Sequence, residues 1–141
     1  MPVTPEQLKQ VPLLAGLDKK SLARVAAQMR ERHVSAGSDV VVQGESGVGF
    51  FVILEGRARV TQGGEDRGTL TAGDYFGEMA LIDGDDRAAS VVAEDALRCA
   101  AITMWNFRPF VKEHPDVAWS LLTAMVKRVR EAQARRTVAA G

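Results

Sequence analysis

The stretch that decides the reading is Phe76-Gly77-Glu78-Met79-Ala80-Leu81-Ile82-Asp83-Gly84-Asp85-Asp86-Arg87-Ala88-Ala89-Ser90. It sets a glycine, an acid, a short apolar run and one arginine in a span too irregular for an ordinary strand. Gly77 lets a backbone come close to a ligand, because no Cβ stands in the way. Glu78 to Ile82 has the length of one or two helical turns, whose first N–H groups lack internal partners and favour a phosphate. Arg87 returns from the far end of the loop with a planar fork that binds two phosphate oxygens at once. Glu78 repels a phosphate, so its carboxylate suits sugar hydroxyls instead. An anion site beside a hydroxyl acceptor implies a nucleotide. A lone Gly-Glu pair and an arginine nine residues on also occur in solvated loops, so the wider pattern has to decide.

Around this stretch the texture is that of short strands. Eleven of the 13 glycines lie between Gly37 and Gly84, which calls for many tight turns. The spacing predicts strands over Arg30–Val34, Val40–Gln43, Gly49–Leu54, Arg57–Thr61, Gly68–Leu70, Ser90–Ala93 and Leu97–Ile102. Arg57-Ala58-Arg59-Val60 alternates as a strand with one wet and one buried face does. Seven or eight such strands close most economically into a double-sheet jelly roll or flattened barrel. The expected fold is therefore α+β and mainly β, an eight-stranded double-sheet jelly-roll barrel with helices on either side.

Those helices are also legible. Thr4 caps a short helix with Pro5 in its first turn, and Val11 to Leu17 reads as a packed turn broken by Pro12 and Gly16. Asp18 caps a helix to about Gln28, with Leu22, Val25, Ala26 and Met29 on one face. After the barrel, Thr103 caps a helix holding Phe107, Phe110 and Val111, with Pro109 expected to kink it. Pro115 opens the last helix, expected to run to about Arg135 with a stripe of Ala118, Leu121, Leu122, Met125 and Val129. The tail from Thr137 to Gly141 is expected to fray. The division is one domain over 1–141: helices at about 4–29, barrel at about 30–102, helices at about 103–136.

Composition narrows the function. Lys plus Arg and Asp plus Glu both number 18, giving a formal net charge of zero. That balance offers no chain-wide attraction to nucleic acid or to an anionic membrane. No apolar run nears the ~20 residues of a membrane span. The first residues lack the basic start and apolar core of a secretory signal. Cys99 is the only cysteine, so disulfides within the chain are excluded and the cytoplasm is the expected compartment. His33 and His114 stand apart with no metal-ligand spacing; both read as structural. No activated nucleophile or acid–base pair appears, so no catalytic residue, metal or cofactor is expected.

The cassette as a whole resembles the phosphate-binding cassette of the cyclic nucleotide-binding domain family. Phe76-Gly77-Glu78-Met79-Ala80-Leu81, then Arg87-Ala88-Ala89 after five residues, carries each element of that pattern. Gln43-Gly44-Glu45, Phe50 to Gly56 and Gly73-Asp74-Tyr75 sit where the family's barrel strands and glycine turns do. The resemblance covers roughly Val11 to Arg130 and is close to the regulatory subunits of cyclic-AMP-dependent protein kinase. It implies that Arg87 binds the phosphate and Glu78 the ribose 2′-hydroxyl. Gly77, Met79, Ala80, Ala88 and Ala89 would act through backbone groups. In the family, a serine or threonine after the arginine favours cyclic GMP; Ala88 implies cyclic AMP, with cyclic GMP the lesser expectation.

Asp83, Asp85 and Asp86 depart from the family's usual loop tip, which often carries proline, and bear on affinity rather than on ligand identity. A lid over the base from the last helix is implied, with Trp119, Leu122, Met125 and Val126 as candidates. Packing against the barrel is the other reading of Trp119, and Trp105 is expected in core or hinge packing. Lys127, Arg128, Arg130, Arg135 and Arg136 form a basic end to that helix, expected to be solvated. The expected role is a non-catalytic sensor acting on an unidentified protein effector, and the last helix leaves a homodimer open. An alternative is the sensor part of a regulator like the catabolite activator protein, or of a larger cyclic-nucleotide-gated protein. The few residues after Arg136 hold no DNA-binding module, so that alternative needs a longer chain. A cupin-type metalloenzyme would need more histidines than the two present.

Overall fold

A computed structural model describes residues 2–47 and 49–140, with side chains described up to Ala134. The barrel strands are β1 Arg30–Val34, β2 Asp39–Val41, β3 Gly49–Glu55, β4 Ala58–Gln62, β5 Glu65–Leu70, β6 Tyr75–Phe76, β7 Ser90–Ala93 and β8 Leu97–Thr103. They form two antiparallel four-stranded sheets, ordered β1-β8-β3-β6 and β2-β7-β4-β5. This is the jelly roll that the glycine spacing called for. The strand absent from the sequence reading is β6. At two residues it has no alternation to detect, and it is defined by pairing with β3 through Phe51–Phe76 and Val52–Tyr75.

Helices α1 Pro5–Lys9 and α2 Lys19–Gln28 precede the barrel, with a 3₁₀ turn at Pro12–Leu14 between them. Their starts are capped as the sequence indicates. The Thr4 hydroxyl accepts from the Gln7 N–H while the Gln7 side chain accepts from the Thr4 N–H, and an Asp18 carboxylate oxygen accepts from the Ser21 N–H. α3 Glu78–Asp83 lies within the cassette, and α4 Met104–Glu113 and α5 Pro115–Ala140 follow β8. Pro109 sits inside α4. The α5 backbone remains helical through the stretch expected to fray, up to Ala140.

Strand β3 explains how two cores coexist. Its alternation sends Phe50 and Val52 toward the helices and Phe51 and Ile53 into the barrel. Both faces are buried, which is why the run is apolar throughout. The helix-side core adds Leu8, Leu14, Val25, Leu81, Phe107 and Val117, whereas Val91, Leu97 and Cys99 fill the barrel.

Two sequence expectations are corrected. Trp105 is 67% exposed and packs in neither core. Phe107 and Phe110 take the inner face of α4, and two helical residues rotate Trp105 about 200° from Phe107. On α5 the expected stripe is split: Leu121 is buried, together with Val117 from outside the stripe, while Leu122 and Val129 face outward. The helix touches the core only along its first turns, so one face serves packing and the adjoining one does not.

Leu81 joins the cassette helix to the helix-side core and has no exposed surface. Leu81→Ala is expected to destabilise the protein by about 2–5 kcal/mol in urea unfolding. A loss below ~1 kcal/mol would mean that α3 is not docked. Burial pushes the Cys99 thiol up to about 11. The thiol then stays neutral in the fold at pH values where the unfolded chain's thiol ionises, so its contribution to stability falls as pH rises from about 9 toward 11. Cys99→Ala should flatten that part of the stability–pH curve; an unchanged slope would contradict the assignment.

Candidate functional site

Arg87 is the centre of the site. Its backbone is pinned to the β2–β3 turn, with its N–H donating to the Glu45 carbonyl (2.8 Å) and its carbonyl accepting from the Gly44 N–H (2.9 Å). The side chain then runs inward and is only 7% exposed. Nη1 donates to the Gly77 carbonyl at 3.0 Å and Nη2 to the Gly49 carbonyl at 2.8 Å. Three glycines shape this channel. A Cβ on Gly47 would overlap the guanidinium, one on Gly49 would meet the Phe51 ring, and one on Gly77 would lie 2.7 Å from the Gly49 carbonyl. Gly77 also has φ 97°, in the left-handed region that side chains rarely adopt.

No carboxylate lies within ion-pair distance of Arg87 among the described residues. Burial lowers the affinity of its guanidinium for its proton, opposed by the charge of Glu78. An arginine nonetheless stays charged at neutral pH. The result is a buried cation whose partners are carbonyl dipoles.

Glu78, at the start of α3, is the complementary feature. It is 3% exposed. Oε1 accepts from Arg128 Nη1 of α5 at 2.8 Å, while Oε2 is buried with no partner. An ionised carboxylate oxygen in that state is a strong acceptor facing a desolvation cost, and a hydroxyl donor relieves it. Tyr75 stands nearby, its phenol pushed up by burial and by the Glu78 charge, so it remains a neutral donor.

A cavity of about 750 Å³ unites these groups. Gly77, Glu78, Met79, Ala80, Arg87, Ala88 and Ala89, the seven residues picked out as ligand-binding, all line it. Val60, Gln62 and Leu70 form its barrel wall, and Gln62 Nε2 donates to the Ala88 carbonyl at 3.0 Å.

The four lid candidates do not line this cavity. Trp119, Leu122, Met125 and Val126 lie elsewhere, and the α5 wall is made by Arg128, Glu131 and Ala132. Helical phase explains this placement. At about 3.6 residues per turn, the nine residues from Trp119 to Arg128 make two and a half turns, so the two side chains point oppositely. Trp119 is 70% exposed. The signal that would have found Arg128 was its spacing of seven from Leu121, which puts it on the buried face. Within the basic end, Arg128 is thus an ion-pair partner rather than a solvated cation, and the side chains of Arg135 and Arg136 lie outside the described residues. His33 Nε2 lies 3.3 Å from Glu31 Oε1, and His114 packs on Phe110. Among the described residues no group of three or more His, Cys, Asp or Glu is placed to hold a metal. No helix there is long and apolar enough to cross a membrane.

The profile of the cyclic nucleotide-binding domain matches residues 31–114. The chain belongs to that family. The cAMP-dependent protein kinase regulatory subunit of Mycosarcoma maydis is 42% identical over 104 residues, covering 69% of this chain and 20% of the relative. The cGMP-dependent protein kinase, isozyme 1, of Drosophila melanogaster is 35% identical over 112 residues, covering 74% and 15% respectively. Among solved structures, the regulatory domain of Toxoplasma gondii PKA with cAMP superposes with a TM-score of 0.78 at 30% identity, covering 88% of this chain and 48% of that one. The chain therefore spans about a fifth or less of the two kinase relatives' length.

The Arg128–Glu78 pair can be tested without ligand. Arg128→Ala leaves both oxygens of a buried carboxylate unpartnered and is expected to cost about 1–3 kcal/mol in chemical denaturation. Glu78→Gln in that background should recover part of the loss. Additive losses would show that the pair contributes nothing.

Proposed function

We propose that this chain is a single regulatory domain over 1–141 that binds cyclic AMP and performs no chemistry. The observation that carries this reading is the pairing, in one cavity, of a buried cation lacking a carboxylate partner with a buried carboxylate oxygen lacking a donor. A cyclic nucleotide supplies both complements, its phosphate to the Arg87 fork and its ribose hydroxyl to Glu78 Oε2. Backbone groups of Gly77, Met79, Ala80, Ala88 and Ala89 complete the cassette. Cyclic AMP is favoured over cyclic GMP because Ala88 has no hydroxyl to offer a guanine amino group. The names of the relatives include both nucleotides, so the choice rests on Ala88.

The output travels through contacts around Glu78. A ribose hydroxyl on this carboxylate adds to, or competes with, the Arg128 contact and so shifts α5 relative to the cassette. At the other end of α3, Arg108 of α4 donates from Nε and Nη2 to the Leu81 carbonyl (3.1 and 3.0 Å), tying both C-terminal helices to one short element. Ligand binding changes their arrangement only to the extent that it binds one arrangement better. The outward face of α5, with Trp119, Leu122, Val126 and Val129 exposed, is the surface offered to a protein effector or to a second copy.

Calorimetric titration with cyclic AMP and cyclic GMP tests the reading. Cyclic AMP should bind more tightly, and Arg87→Ala should weaken it by about 2–5 kcal/mol, as loss of a buried charged partner does. Absence of binding heat and of a thermal shift with either nucleotide would refute the proposal. Equal binding to wild type and variant would remove Arg87 from the site.

A further inference from the structure

A second cavity, of about 760 Å³, opens on the other side of Arg87, between the α2–β1 and β8–α4 junctions. Its lining includes Arg30, Arg32 and Arg87 and, among the described residues, no carboxylate. Strand alternation sorts the charge here. Arg30 and Arg32 share one face of β1, while Glu31 between them turns to the other, where it pairs with Arg98 at 3.1 Å. Neither Arg30 nor Arg32 enters an ion pair among the described residues. Arg32 lies over the buried Phe51 ring, 5.6 Å from its centroid. Thr103 and Asn106 add polar groups to the rim.

Three arginines thus line one cleft with an apolar floor and, among the described residues, no carboxylate in its lining. The third, Arg87, is more than nine-tenths buried and lines both cavities. Of its five N–H donors, two are taken by the Gly77 and Gly49 carbonyls. We propose that this rear cleft binds a small phosphate-class oxyanion through Arg30, Arg32 and Arg87, and that its occupation opposes nucleotide binding at the cassette. Planar forks match the oxygens of a tetrahedral oxyanion, and the low-dielectric floor strengthens the attraction. An anion behind Arg87 draws the guanidinium away from the front cavity, and linkage makes the antagonism reciprocal. The antagonism rests on the role proposed above for Arg87; the rear site itself does not.

The test is titration with inorganic pyrophosphate at constant ionic strength, by calorimetry and by amide chemical shifts. Shift changes are expected at Ala27, Thr103 and Asn106. Arg32→Ala should weaken pyrophosphate about tenfold, and so should Arg30→Ala, which disturbs no aromatic contact and guards against a folding defect. Pyrophosphate at a concentration that just saturates the wild-type cleft should weaken cyclic AMP severalfold in the wild type and distinctly less in Arg32→Ala. Shifts confined to Ala88 and Ala89, or unaltered binding in both variants, would place the anion in the cassette and overturn the rear site. Cyclic AMP affinity indifferent to bound pyrophosphate would overturn the antagonism. If neither cyclic nucleotide binds, the nucleotide reading fails, while the shifts and the two variants still decide the cleft.

Discussion

The site depends on keeping one arginine charged inside the protein with only carbonyl dipoles to hold it. Moving a guanidinium out of water is costly, and two carbonyl acceptors offset only part of that cost. The fold makes the arrangement tolerable through geometry. Gly44 and Glu45 fix the Arg87 backbone, while Gly47, Gly49 and Gly77 clear a channel that any side chain would block. A carboxylate in the channel would neutralise Arg87 and leave little attraction for an anion. The residual demand for negative charge is what gives the cavity its chemistry.

The barrel serves this demand by bringing distant segments together. Gly49 begins β3, Gly77 follows β6 and Arg87 precedes β7, and β3 pairs directly with β6. The Gly49 carbonyl and the Gly77 carbonyl therefore sit on neighbouring strand ends, at a separation one guanidinium can span. Burial of β3 on both faces makes that platform rigid, because Phe50 is stacked on Phe107 and Phe51 on Phe76. The precision of the Arg87 contacts is a consequence of barrel packing as much as of the cassette.

Much of this was legible in the chain because it is local. Glycine turns, alternating strands and helix caps are written in short windows, and the seven cassette residues lie within one loop. What escaped depends on tertiary phase. β6 is too short to alternate and exists because β3 presents an edge. The face that α5 turns to the cavity is not legible because its sequence offers apolar residues on more than one side: Val117 and Leu121 inward, Leu122, Val126 and Val129 outward. Hydrophobicity alone cannot choose between two apolar faces. The choice is made by where the core ends, after which the inward face carries Arg128 and Glu131 instead. Trp105 and Trp119 are exposed, because Phe107 and Val117, at better phase, fill the inward positions of their helices.

The inward face of α5 bears on what the last helix does. An apolar lid would respond to a base, whereas Arg128 would respond, on the proposed reading, to a hydroxyl at Glu78. The two oxygens of that carboxylate face different fates, one committed to α5 and the other buried without a donor. On the proposed reading, a hydroxyl on the second oxygen adds to, or competes with, the contact to Arg128, which is half-exposed and has water as a ready alternative. Glu78 is the joint between cassette and helix, and on the proposed reading a recognition group as well. On the proposed reading, occupancy of the cavity and position of α5 are coupled through this side chain, beside the Arg108 contacts to the Leu81 carbonyl.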